Sequence, residues 1–190
     1  KLIIGNMEKV YTITKNFRNE DIDKTHNPEF TTMESYAAYW DYNDVMRLTE
    51  EIFQEACVAV NGDTKFTYQG KEFDLQGKWE QLPMKKAIKK YGDLDVDALS
   101  DQQMLDLIAK SGKKMENPKL RGLIINELFE AVAEKHLIGP VHLMDHPFET
   151  PPLCKEHRKD SGLIERFESF INGWEMCNAY SELNDPIKQR

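Results

Sequence analysis

Residues 163–183, Leu163-Ile164-Glu165-Arg166-Phe167-Glu168-Ser169-Phe170-Ile171-Asn172-Gly173-Trp174-Glu175-Met176-Cys177-Asn178-Ala179-Tyr180-Ser181-Glu182-Leu183, decide the fold of this chain. Two strand-like runs flank Asn172-Gly173, a pair that accepts positive φ and so closes a two-residue hairpin turn. With that turn, Phe170 faces Glu175 and Glu168 faces Cys177. Alternation then sets Glu168 and Glu175 on one face as diagonal neighbours, close enough to share a divalent cation. It sets Asn178, Tyr180 and Glu182 on the opposite face. Two solvent-facing glutamates would satisfy the same pattern.

Upstream of this hairpin, residues 141–145 alternate like a strand, and Pro147, Pro151 and Pro152 force an extended loop after it. Residues 78–137 read as a helical insert. Pro83 opens one short helix, Ser100 with Gln103 forms a capping box for a second, and Asn117-Pro118 starts a third. Residues 64–69 and 71–76, hinged at Gly70, form a short hairpin. Before it, Asn43 can cap a helix whose apolar positions Val45, Met46, Thr49, Ile52, Phe53, Ala56 and Val60 recur at helical spacing until Gly62. At the start, residues 7–19 and 29–40 have strand composition and are separated by a polar loop. Strands, helix, strands, helical insert and strands again, with mostly local antiparallel connections, make an α+β fold.

The chain has 190 residues and a net charge of −8. That charge argues against sequence-independent binding along phosphate backbones, which needs a basic face to release counterions. No stretch approaches the roughly 18 to 20 apolar residues of a membrane span, so a soluble cytoplasmic protein is expected. Cys57, Cys154 and Cys177 are widely spaced and form neither a disulfide framework nor a zinc motif. His142 and His146 would lie roughly 13 Å apart along a strand, too far to share a zinc ion. Cys154 and His157 lack a second ligand pair. No GxSxG elbow and no GxxxxGK loop is present, so a phosphate site here must be built from side chains.

The first hairpin offers such side chains. Alternation puts Arg18 and Glu20 on one face of the outgoing strand and Phe30, Thr32, Glu34 and Tyr36 on one face of the returning strand. If the two faces coincide, an aromatic ring and a guanidinium fork share a patch suited to stacking on a base and gripping a phosphate. A solvated sheet face with an Arg–Glu surface pair fits the same pattern.

Phe17-Arg18-Asn19-Glu20, His26-Asn27-Pro28-Glu29-Phe30-Thr31 and Met33-Glu34-Ser35-Tyr36 resemble motif 2 of class II lysyl-tRNA synthetases. Arg166-Phe167-Glu168 and the run from Glu175 through Glu182 to Asp185 resemble the strand pair that precedes motif 3. His146-Pro147 and Pro152-Leu153 fit the same family. The resemblance implies an antiparallel catalytic sheet flanked by helices. It also implies a site in which Arg18 holds the α-phosphate of ATP, Glu20 the adenine amino group, Phe30 the adenine ring and His26 the outer phosphates. Glu168 and Glu175 would ligate Mg2+. Glu182 would read the ε-ammonium of lysine in a pocket shaped by Glu34, Tyr36, Asn178 and Tyr180. Because this places Glu168, Glu175 and Asn178 in one pocket while simple alternation separates them, a β-bulge is expected between Glu175 and Asn178.

The resemblance further implies a catalytic-domain fragment over residues 1–190, lying between motif 1 and motif 3 of a homodimeric enzyme that charges tRNA(Lys), with the active site expected to be incomplete in this stretch. Two other readings stay open: a paralogue that modifies a protein, and a noncatalytic fragment that keeps only ATP or lysine affinity.

Overall fold

The computed structural model describes residues 1–19, 22, 27–113, 115, 120–150 and 153–190. The chain divides into two compact units, Lys1–Trp40 and Asp41–Arg190. The expected roles of Glu20 and His26, the Asn117-Pro118 helix start, and Pro151 and Pro152 lie outside the described residues.

The first unit is a hairpin of β1 (Lys9–Phe17) and β2 (Glu29–Ala37), paired antiparallel from Lys9↔Ala37 to Phe17↔Glu29. The amide of Arg18 donates to the Pro28 carbonyl at 2.9 Å and extends the ladder by one rung. This register makes the two predicted faces coincide: Val10, Thr12 and Asn16 stand opposite Tyr36, Glu34 and Phe30. The Asn16 side-chain amide donates to Thr32 Oγ1 at 2.6 Å on that face.

The second unit opens with α1 (Tyr42–Asn61). Its N-cap is Asp41, two residues before the expected Asn43. Asp41 accepts from the amides of Asn43 and Asp44 while Asp44 reaches back to the Asp41 amide, a reciprocal box. A cap of this kind stabilises a helix by about 1 kcal/mol. The C-cap is Gly62 at φ 77, as expected, where a side chain would be strained. The apolar line of α1 is shorter than its spacing suggests. Met46 and Cys57 are buried, but Ala56 and Val60 face solvent.

Next come the hairpin of β3 (Lys65–Tyr68) and β4 (Lys71–Asp74), β5 (Glu80–Pro83), and α2 (Met84–Gly92), α3 (Asp101–Lys110) and α4 (Arg121–Val132). The Ser100–Gln103 capping box is present. Then follow β6 (Val141–Met144), β7 (Arg166–Ile171) and β8 (Trp174–Tyr180). Strands β5-β6-β7-β8 form one sheet in which β5 runs parallel to β6 and the other pairs are antiparallel. The β5 strand was not expected: four residues ending at a proline carry too little alternation to read, and its partner lies beyond three helices. Among the described residues no helix is long and apolar enough to cross a membrane.

The sheet is covered on both faces. Val141, Leu143 and Phe170 pack on one side with Ile88, Met104, Ile108, Ile124 and Leu128 of the three helices. On the other side Phe167 packs against Tyr42 and Met46 of α1, with Cys177 and Ala179 beside them. A third cluster joins Cys57, Phe73, Leu75, Trp79 and Ile171.

Between α1 and the sheet lies a buried polar chain. His142 Nδ1 is 2.9 Å from Ser169 Oγ, and its Nε2 is 3.2 Å from Glu50 Oε1, which also accepts from the Trp79 amide at 3.0 Å. The imidazole stacks on Trp79 at 5.2 Å and meets the edge of Phe167 at 5.1 Å. All three polar side chains are buried, so the Ser–His–Glu order here binds elements together without access to substrate. Replacing Glu50 with alanine strands two buried donors, and the expected loss is about 3 kcal/mol, read by urea melts. Burial lowers the His142 pKa despite Glu50. The unfolded chain therefore binds the proton first, so this contribution is full above the ordinary histidine value and fades as pH falls below it.

Candidate active site

The turn between β7 and β8 holds Asn172 at φ 56 and Gly173 at φ 76, the two positive values that a hairpin of this hand requires. Ile171↔Trp174 and Phe170↔Glu175 pair as the two-residue turn dictates. The register then shifts between Ser169 and Phe170, so that Ser169 faces Cys177 and Glu168 faces Asn178. Met176 is the extra residue, and the bulge falls inside the expected interval. Glu168 thus faces Asn178, a correction to the Cys177 partner that unbroken alternation gives. Cross-strand partners share a face, so Glu168, Glu175, Asn178 and, opposite Arg166, Tyr180 all stand on one side of the sheet.

Hydrogen bonds tie this set together. The Asn178 amide donates to Glu175 Oε1 at 3.2 Å and to Glu168 Oε1 at 3.4 Å. Arg166 donates to the same Glu168 oxygen at 2.5 Å and to Asn178 Oδ1 at 3.1 Å. His146, fully buried, approaches Glu168 Oε2 from the other side with Nε2 at 3.6 Å. Burial by itself would raise the Glu168 pKa, but the facing His146 and Arg166 outweigh it and hold the carboxyl below the ordinary glutamate value. Glu168 is therefore an anion at neutral pH.

Arg166, Glu168 and Glu175 line a cavity of about 420 Å³ together with Asn126, Glu130 and Glu134. Burial, and then the charge of Glu130, holds the Glu134 carboxyl above its ordinary value. Four carboxylates thus border one cavity, with Arg166 among them. Glu182 follows β8 in the same alternation and bridges to Cys154. It is exposed, yet partial desolvation pushes its carboxyl above the ordinary value.

In the first unit, Arg18, Phe30, Glu34 and Tyr36 share one face of the hairpin. The Arg18 guanidinium lies 5.6 Å from the centre of the Phe30 ring. A guanidinium over a half-buried ring is an arrangement that suits a planar base beside a phosphate.

The family profile of class II tRNA synthetases (D, K and N) matches residues 1–190. The chain is a class II tRNA synthetase of this family. It is 47% identical over 193 residues to the lysine–tRNA ligase of Sulfolobus acidocaldarius, covering 100% of this chain and 39% of that protein. It is 48% identical over 195 residues to the lysine–tRNA ligase of Clostridium acetobutylicum, covering 100% of this chain and 38% of that protein. To lysine–tRNA ligase 2 of Methanosarcina mazei it is 44% identical over 190 residues, covering 100% and 37% respectively. The chain therefore spans about two fifths of the length of the curated relatives it matches.

For a synthetase of this class, the donor set at the cavity suits Mg2+. Glu168 and Glu175 offer hard oxygens joined through Asn178, while among the described residues no group of three or more His, Cys, Asp or Glu could hold a metal ion. Such a cation would take its other ligands from phosphate oxygens and water, as Mg2+ does. Sequence reasoning gave no role to Arg166, Glu134 or His146. Arg166 was within reach, since it lies two residues from Glu168 on the same strand. Glu134 and His146 reach the cavity and its carboxylate from distant segments, and no local pattern marks them.

Proposed function

We propose that this chain is a core of a cytoplasmic lysine–tRNA ligase, which activates lysine with ATP and passes the lysyl group to tRNA(Lys). The observation that carries this reading is the bulge at Met176, which gathers Glu168, Glu175 and Asn178 on one face beside Arg166. The names of the relatives supply the amino acid.

In the first step a lysine carboxylate oxygen attacks the α-phosphorus of ATP, the bond to the β-phosphate bridging oxygen breaks, and pyrophosphate leaves. Arg18 holds the α-phosphate and the attacking carboxylate, meeting charge as it grows. Phe30 stacks on the adenine, Glu20 accepts from its amino group and His26 reaches the outer phosphates. Glu182 receives the ε-ammonium, and Glu34, Tyr36, Asn178 and Tyr180 are the further lysine-binding residues of this reading. Mg2+ held by Glu168 and Glu175 would neutralise phosphate charge. In the second step a terminal ribose hydroxyl of tRNA attacks the acyl carbon and AMP departs, with no covalent enzyme intermediate. Positioning and fixed charge supply the catalysis. The complete enzyme is a homodimer in this reading, and residues 78–137 are an insert in its catalytic domain.

Calorimetry on this chain tests the reading. Magnesium-ATP and lysine are each expected to bind, and lysine to bind more tightly when a nonhydrolysable ATP analogue is present. Binding of ATP without any response to lysine would leave only a nucleotide module and would defeat the assignment.

A further inference from the structure

His146 follows the end of β6 with 0% of its surface exposed, and among the described residues neither ring nitrogen has a hydrogen-bond partner. A buried polar group without a partner is rare in folded proteins and calls for a reason. Its Nε2 lies 3.6 Å from Glu168 Oε2, beyond hydrogen-bond range but directly facing it. The other oxygen of the same carboxylate is already held by Arg166 and Asn178. Oε2 is therefore the oxygen whose direction the sheet neighbours leave unset.

We propose that His146 is a positioning residue for Glu168: as the Nε2–H tautomer it closes on Oε2 when a cation draws Oε1 toward the cavity, and so fixes the carboxylate for cation binding. The inference rests on the reading of Glu168 and Glu175 as cation ligands. Contacts in apo sites are commonly long and tighten with the ligand bound. Groups that orient a ligating carboxylate or imidazole from behind contribute about 10- to 100-fold to metal affinity.

The probe is Mn2+ titrated into the 190-residue chain and its variants, with free ion counted by electron paramagnetic resonance and each melting temperature measured in parallel. His146→Leu removes both unpartnered nitrogens at similar volume. Its affinity for Mn2+ should fall about 10- to 100-fold while its melting temperature holds or rises. His146→Gln, which keeps a donor of similar reach, should recover most of the affinity. A purely structural histidine predicts the reverse, with the melting temperature moving and the affinity unchanged. Equal affinity in His146→Leu and wild type overturns the proposal. If the leucine variant does not fold, His146→Asn decides, since its amide is too short to reach Glu168: weaker binding supports the proposal and unchanged binding overturns it. Failure of the wild-type chain to bind Mn2+ would instead remove the cation-ligand reading, and this inference with it.

Discussion

Arg18→Ala is expected to lower lysine-dependent pyrophosphate exchange by about 100- to 1000-fold, the usual effect of removing one donor aimed at charge that develops in the transition state. The loss should appear in kcat as well as kcat/KM, because the fork acts most strongly on the pentavalent phosphorus and less on ground-state ATP. Folding should be nearly unaffected. Arg18 is exposed, and a cation–π contact at such a site is worth about 0.5–1 kcal/mol. Arg18→Lys should recover little, since a point charge cannot grip two oxygens in a fixed plane. Exchange within threefold of wild type in the alanine variant would show that the Arg18–Phe30 face is ordinary surface.

The second large effect belongs to Glu182. Glu182→Gln should raise the KM for lysine by about two orders of magnitude or more while the KM for ATP stays put, because removing one partner of a desolvated ion pair costs about 2–5 kcal/mol. The direction of its pKa adds a check. Partial desolvation holds the carboxyl above the ordinary glutamate value, and lysine binding needs the carboxylate. Affinity should therefore be full at neutral pH and decline on acidification at a higher pH than an ordinary glutamate would give. A glutamine variant with unchanged lysine KM would move the ε-ammonium site elsewhere, with Glu34 the next residue to replace.

Much of the fold was legible because its signals are local. Asn172-Gly173 specified a turn, Gly62 a helix stop and Ser100 with Gln103 a helix start, each through hydrogen bonds or φ values set within four residues. The shared face of Arg18, Phe30, Glu34 and Tyr36 followed from period-two alternation on both strands once they paired in register. Where a neighbour in space competes, the local reading slipped. Asp41 took the cap from Asn43; it also accepts from Arg158 at 2.7 Å, a partner 117 residues away. Val60 keeps the apolar spacing of α1 but joins no buried cluster and is 82% exposed, whereas Cys57 packs with Phe73 of β4.

By itself the sequence determined the α+β class, the three hairpins, the family resemblance and the need for one residue too many between Glu175 and Asn178. Those rest on chain chirality, turn chemistry and the parity of strands, all of which act along the chain. Only the tertiary structure decided that the extra residue is Met176, that β5 runs parallel to β6, and that Arg166, Glu134 and His146 converge around Glu168. Those outcomes depend on which surfaces meet when β6, β7, β8 and α4 pack. Burial and facing charge then set the state of each carboxylate, through groups that no spacing in the sequence connects.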